Sequence, residues 1–169
     1  MKKALVFGIL CLLGCENQQA YPPVGGVLTD KDLKFSQQRA KNLNELERMQ
    51  ITDWIKNQDE KFYPMGLNYW VNVENLHNNP KKEDGTAVSY QYDIYDFDGV
   101  KIYSNPIVNV GVLGKFSELK AVEDALRYLS PNQEVRLLIP SVLAYGTYGD
   151  NDKIPSDMPL IIVLKMNEI

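Results

Sequence analysis

Residues 134–169 read EVRLLIPSVLAYGTYGDNDKIPSDMPLIIVLKMNEI. Two sheet-like apolar runs, 135–139 and 160–166, flank an aromatic, glycine-punctuated loop around Tyr145. Gly146 and Gly149 follow from the turns such a loop must make. Working upstream, 117–129 (SELKAVEDALRYL) has the spacing of a short helix. Val122, Leu126 and Leu129 recur four and three residues apart, Ser117 is placed to cap, Glu118 falls in the first turn, and Pro131-Asn132 ends the run. Before it lie an apolar run at 107–112 and an Asp98-Gly99 turn that predicts a hairpin into Val100, Ile102 and Tyr103.

The clearest alternation in the chain is Val88, Tyr90, Tyr92 and Ile94 against Ser89, Gln91, Asp93 and Tyr95, a strand with one core face and one largely solvated face. Leu67, Tyr69, Val71 and Val73 alternate in the same way, and a polar loop separates the two runs at 75–85. Many strands with one short helix between them predict an α+β domain over 65–169, an antiparallel sheet packed on that helix.

Further upstream, 36–57 contains no Gly or Pro and places Leu43, Leu46, Met49, Trp54 and Ile55 among charges, as an amphipathic helix does. Its apolar face either packs on the following domain or meets a partner protein. The N-terminal helical segment is therefore 36–64, and the polar, Pro- and Gly-containing 15–35 reads as a flexible tether. The N-terminus, MKKALVFGILCLLGC, has two lysines and ten apolar residues, too few to span a bilayer and right for an export signal at 1–14.

Composition narrows the function classes. With 18 Lys+Arg against 22 Asp+Glu the net charge is −4, and loss of Lys2 and Lys3 with the signal leaves 16 against 22, or −6. Nothing in that balance attracts nucleic acid. Cys11 leaves with the signal, and the single His77 sits in a loop with no cysteine to join it, so no disulfide, metal or other cofactor is expected.

The segments LLIPSVLAYG, KIP and PLIIVLKM resemble the last third of FKBP-type peptidyl-prolyl isomerases, and SYQYDIYDFDGVKIYSN resembles an earlier part of the same family. The resemblance implies an FKBP-like sheet wrapped on one short helix and activity on X-Pro segments of exported polypeptides. By position, it gives Tyr145 and the backbone N–H of Leu119 the role of holding substrate carbonyls. Tyr90 and Ile154 become walls, and Ile102, Tyr103, Val122 and Ile162 complete the pocket. Four of these depart from the family pattern. Ile102, Val122 and Ile162 stand where large aromatics are usual, and Tyr103 replaces an acidic residue. The sequence therefore predicts an apolar slot that is wider for want of rings.

LLGC at 12–15 resembles a bacterial lipobox, which implies a lipidated Cys15 and a membrane-anchored lipoprotein of the cell envelope facing the periplasm. The run ITDWIKNQDEKFYPMGLNYWV resembles the gliding-motility-associated FKBP-type lipoproteins of gliding bacteria, which adds a motility-complex protein as a partner. Two other readings stay open. One is a non-catalytic FKBP-like module that binds an extended or proline-containing segment. The other is a structural lipoprotein whose slot is filled by its own Tyr103 or Tyr148.

Overall fold

The computed structural model describes residues 29–117 and 119–168. The expected signal peptide and lipobox and most of the expected tether lie outside those residues, as does Glu118.

Helix α1 spans Asp30–Lys56, 27 residues, so it begins six residues before the apolar periodicity does. Its start is set by a reciprocal cap: Thr29 Oγ1 accepts the Asp32 N–H at 3.2 Å, and the Asp32 carboxylate accepts the Thr29 N–H at 3.1 Å. The boundary between two units falls at Ser36–Gln37, and the second unit is 37–169. Within the second unit the expected apolar face is rotated. Leu46 and Met49 are 64% and 61% exposed, whereas Glu47 and Ile51 are buried. Trp54 and Ile55 are half-buried beside Ile51.

The sheet has six strands, all pairs antiparallel, in the order β1-β2-β5-β6-β3-β4. They are β1 (Tyr63–Pro64), β2 (Trp70–Val71), β3 (Ala87–Tyr95), β4 (Ile107–Val112), β5 (Glu134–Ile139) and β6 (Leu160–Met166). The register puts Leu137, Ile162 and Ile94 in one row across β5, β6 and β3, on the face that holds the main core. The adjacent row, Trp70, Leu138, Ile161 and Tyr95, points to the opposite face. There Ile51, Trp54 and Ile55 of α1 cover it, with the Trp54 ring edge-on to Phe97 at 5.4 Å. The alternation in β3 is as expected, but the far face is not simply solvent, because α1 buries part of it.

That second covered face explains why the expected long strand near 65–74 shrinks to β2. Tyr69, Trp70 and Val71 are all buried, the middle one on the α1 side, and Asn68 turns the chain at φ 72°. The 98–99 turn forms, with Asp96 accepting the N–H groups of Asp98 and Val100, but it closes only an isolated bridge between Tyr95 and Lys101. Residues 96–106 make an excursion, and the strand that pairs with β3 is β4.

Helix α2 is Lys120–Leu126, shorter than the expected 117–129. Leu119 occupies the cap position with φ 52°, and no side chain caps the helix, so Ser117 does not. The buried carboxylate of Glu123 reaches backward instead and accepts the Gly114 N–H. This contact ties the β4–α2 connection to the helix.

Candidate functional site

Most of the residues assigned to the pocket converge on the main core. Tyr90, Leu119, Val122, Ile154 and Ile162 are buried members of it, and Ile102, Tyr103 and Tyr145 are half-buried against it. Residues up to 72 apart in sequence are thus brought together by β3, β6, α2 and the two connections at 96–106 and 140–159. Val122 and Ile162 have no exposed surface, while Tyr145, Ile102 and Tyr103 are half-buried.

Tyr90 stands between two other rings. It stacks on Tyr92 at 6.0 Å and on Phe116 at 5.6 Å. Burial, then the neighbouring Tyr92, push its hydroxyl up to about 12, so it remains a neutral hydrogen-bonding group at physiological pH. Phe116 has no site role in the sequence reading. Its ring occupies the space over Gly111, where an added Cβ would lie 2.6 Å from Phe116 Cε1. A ring thus arrives beside Tyr90 from the β4–α2 connection. The available signal was the isolated glycine in a strand-like run, which marks close approach of another group. Gly111→Ala should displace the Phe116 ring from Tyr90. Because the clash is with the far end of a side chain, the loss of stability should stay near 1 kcal/mol while substrate selectivity changes. Urea unfolding together with rates on a series of Xaa-Pro peptides checks both parts, and unchanged selectivity would remove Phe116 from the site.

Asp150 is the second residue missed. Its Oδ1 accepts the N–H groups of Asp152 at 3.0 Å and Ile154 at 2.8 Å, and its other oxygen accepts the Tyr103 hydroxyl. One carboxylate thus shapes the loop that sets Ile154 and fastens the 96–106 excursion. Desolvation acts to raise the Asp150 pKa, but the Tyr103 hydroxyl and the loop N–H groups together hold it below the usual carboxylate range. The same hydrogen bond, followed by burial, pushes the Tyr103 hydroxyl up to about 12. Where an acidic residue is replaced by Tyr103, a carboxylate therefore stands at the tyrosine's tip. Its sequence sign was the Asp-Asn-Asp cluster, which favours side-chain-closed turns. Lys153 sits over the Tyr103 ring, 5.1 Å from its centroid. Tyr148, 86% exposed, does not fill the slot.

Leu119 needs a correction. Its N–H donates to the Ala144 carbonyl at 3.2 Å, so it is not an open donor waiting for substrate. A substrate carbonyl would have to take that hydrogen from Ala144. The φ of 52° is a left-handed conformation that a leucine holds at a cost of about 1–2 kcal/mol. It aims this N–H at the residue before Tyr145. The turn at Ser141–Leu143 precedes Tyr145, and the Gly146 N–H closes back onto the Ser141 carbonyl at 2.8 Å.

An antiparallel sheet packed on a short helix gathers these apolar and tyrosine side chains into one cluster. Residues 78–167 match the FKBP-type peptidyl-prolyl cis-trans isomerase family, and the chain belongs to it. It is thus an FKBP-type peptidyl-prolyl cis-trans isomerase. Solved structures of similar fold include a peptidyl-prolyl cis-trans isomerase from Pseudomonas syringae pv. tomato. That match has 20% identity and a TM-score of 0.58, and covers 76% of this chain and 93% of that one. FkpA from Escherichia coli aligns at 15% identity and TM-score 0.55, covering 84% and 73%. The N-terminal domain of FKBP42 from Arabidopsis thaliana aligns at 16% and 0.52, covering 65% and 92%. No curated protein matches the chain.

Proposed function

We propose that the protein is an envelope lipoprotein, held by a lipidated Cys15, that speeds folding of exported polypeptides at X-Pro bonds. The observation that supports the site assignment is the gathering of Tyr90, Val122, Ile154 and Ile162 in one apolar cluster with Tyr145 packed against it. Rotation about a peptide bond faces a barrier of about 18–20 kcal/mol, and X-Pro isomerisation takes tens to hundreds of seconds unaided. At the twisted geometry the imide loses resonance and much of its charge separation. An apolar enclosure disfavours the planar, charge-separated form relative to the twisted one, and that difference is catalysis. The proline ring would rest on Val122 and Ile162 between Tyr90 and Ile154, with Ile102 and Tyr103 at the flank. The Tyr145 hydroxyl would donate to the carbonyl of the bound segment. The Leu119 N–H would exchange Ala144 for a second substrate carbonyl.

The LLGC sequence supports the anchor, since each buried methylene of an acyl chain contributes about 0.8 kcal/mol to membrane attachment. An association with gliding motility rests on the ITDWIKNQDEKFYPMGLNYWV run alone. The engaged Leu119 N–H favours a second reading, a module that binds proline-containing segments without turning them over. An isomerisation assay on residues 21–169 with varied residues before proline separates the two. Measurable acceleration that falls in Tyr145→Phe supports the enzyme. Rates equal to buffer for every peptide, with binding retained, support the binding module. Membrane attachment that persists in Cys15→Ser would refute the lipid anchor.

A further inference from the structure

We propose that Glu47 of α1, outside the family-matched residues, is a positioning residue for the Tyr145 loop, acting with Arg39 to hold both ends of that loop against one face of the helix. The proposal rests on Tyr145 being part of the isomerase site.

A carboxylate that is 3% exposed on a helix is costly unless it is bound, and both oxygens of Glu47 are. Oε2 accepts the Ser141 N–H at 2.7 Å and Oε1 accepts the Ser141 hydroxyl at 2.6 Å. Ser141 opens the turn before Tyr145, and its carbonyl in turn accepts the N–H groups of Ala144 at 2.9 Å and Gly146 at 2.8 Å. Fixing Ser141 therefore fixes the backbone on both sides of Tyr145. At the other end of the loop, the Asp157 N–H donates to the Gly146 carbonyl at 2.9 Å, and the Asp157 carboxylate pairs with Arg39 at 2.5 Å. Arg39 and Glu47 are eight residues apart, about 12 Å along one side of the helix.

The Arg39 pair is partly exposed and contributes little by itself. The buried Glu47 contact is the one expected to matter. Burial raises its pKa, Ser141 opposes the rise, and the nearby Asp157 adds to it, as expected for a carboxylate desolvated to meet a backbone N–H. The sequence gives Glu47 no special mark beyond its spacing of four from Ile51, which puts a charge on the buried stripe.

The test compares three variants in the full chain. Glu47→Ala should lower kcat/KM by tenfold or more, within the hundredfold that misplacing a group by about 1 Å costs, and mainly through kcat. Glu47→Gln keeps an acceptor for the Ser141 N–H and a donor for its oxygen, so it should stay within about twofold of wild type, as hydrogen-bond replacement predicts. Ile51→Ala, a packing loss on the same helix, should lower stability while leaving kcat/KM unchanged at temperatures where the protein is folded. Amide exchange gives a readout independent of turnover. In Glu47→Ala the N–H groups of Gly146 and Asp157 should exchange faster, with β5 and β6 unchanged.

Equal losses of kcat/KM in Glu47→Ala and Ile51→Ala would overturn the proposal, and so would unchanged exchange at Gly146 and Asp157. If wild type does not turn over proline peptides but Glu47→Ala selectively loosens the loop, then the enzymatic reading fails and the loop-holding role stands. Should Glu47→Ala not fold, Ser141→Ala removes the hydroxyl half of the contact and must show the same selective exchange.

Discussion

Gly149→Ala should destabilise the protein by roughly 2–5 kcal/mol and take isomerase activity down with it, the sum of a left-handed backbone and a collision. Gly149 lies at φ +67°, and a Cβ there would stand 2.1 Å from the Ile154 carbonyl oxygen and 3.0 Å from the Pro155 carbonyl carbon. Both are backbone atoms, so no rotamer change relieves the contact. The chain at 154–155 must move, and Ile154 moves with it. Gly146→Ala is the control within the same loop. Gly146 also has a positive φ, +59°, but a Cβ there meets nothing within 4 Å, so only the conformational cost of about 1–2 kcal/mol applies. Urea unfolding and kcat/KM measured on the pair check the argument. Equal effects for the two variants would mean that the approach of Ile154 to Gly149 does not constrain the loop.

Tyr90→Ala should cost about 3–5 kcal/mol, the usual loss for removing a buried aromatic ring, and reduce isomerase activity to near background. The ring is 6% exposed and packed between Tyr92 and Phe116, so its loss leaves a cavity between two other rings rather than a collapsed site. Tyr90→Phe retains the ring and should retain most of the stability. Activity measured on both variants at a temperature where each is folded decides what the tyrosine does. A Tyr90→Ala protein that is less stable but turns over proline peptides at the wild-type rate would make Tyr90 a core residue and nothing more.

These expectations draw on features that differ in how far they could be read in advance. Strand β3 was visible because a period of two needs only local information, and its buried residues are those the alternation named. The runs that became β5 and β6 were equally plain. The buried positions Tyr90 and Ile162 on these strands were legible for the same reason, while site roles for these two and for Tyr145 and Ile154 come from the family resemblance alone. The sequence extends α2 too far, because a capping serine and an acidic first turn suggest a start at 117. The chain instead reaches helical geometry only after Leu119 turns left-handed, where the Ala144 carbonyl receives its N–H.

The residues missed depend on packing partners, two of them across long sequence distances. Phe116 gains its place from the missing side chain at Gly111, Asp150 from the hydroxyl of Tyr103, and Glu47 from a serine 94 positions later. None of these pairings leaves a periodic trace. The buried side of α1 was also misjudged, since Leu46 and Met49 are more apolar than Glu47, yet it is Glu47 and Ile51 that face inward.

The sequence by itself determined strands β3 to β6, their order around α2 and the family, because those follow from local periodicity and from short segments that keep their character in any context. Only the tertiary structure decided which face of α1 is buried, which ring lies beside Tyr90, and where the Leu119 N–H points. Those depend on the sheet register, which stacks Trp70, Leu138 and Ile161 on the face opposite the main core and so gives α1 a surface to cover. Once that helix lies there, a buried charge becomes favourable wherever a backbone N–H waits for it, and Glu47 meets Ser141.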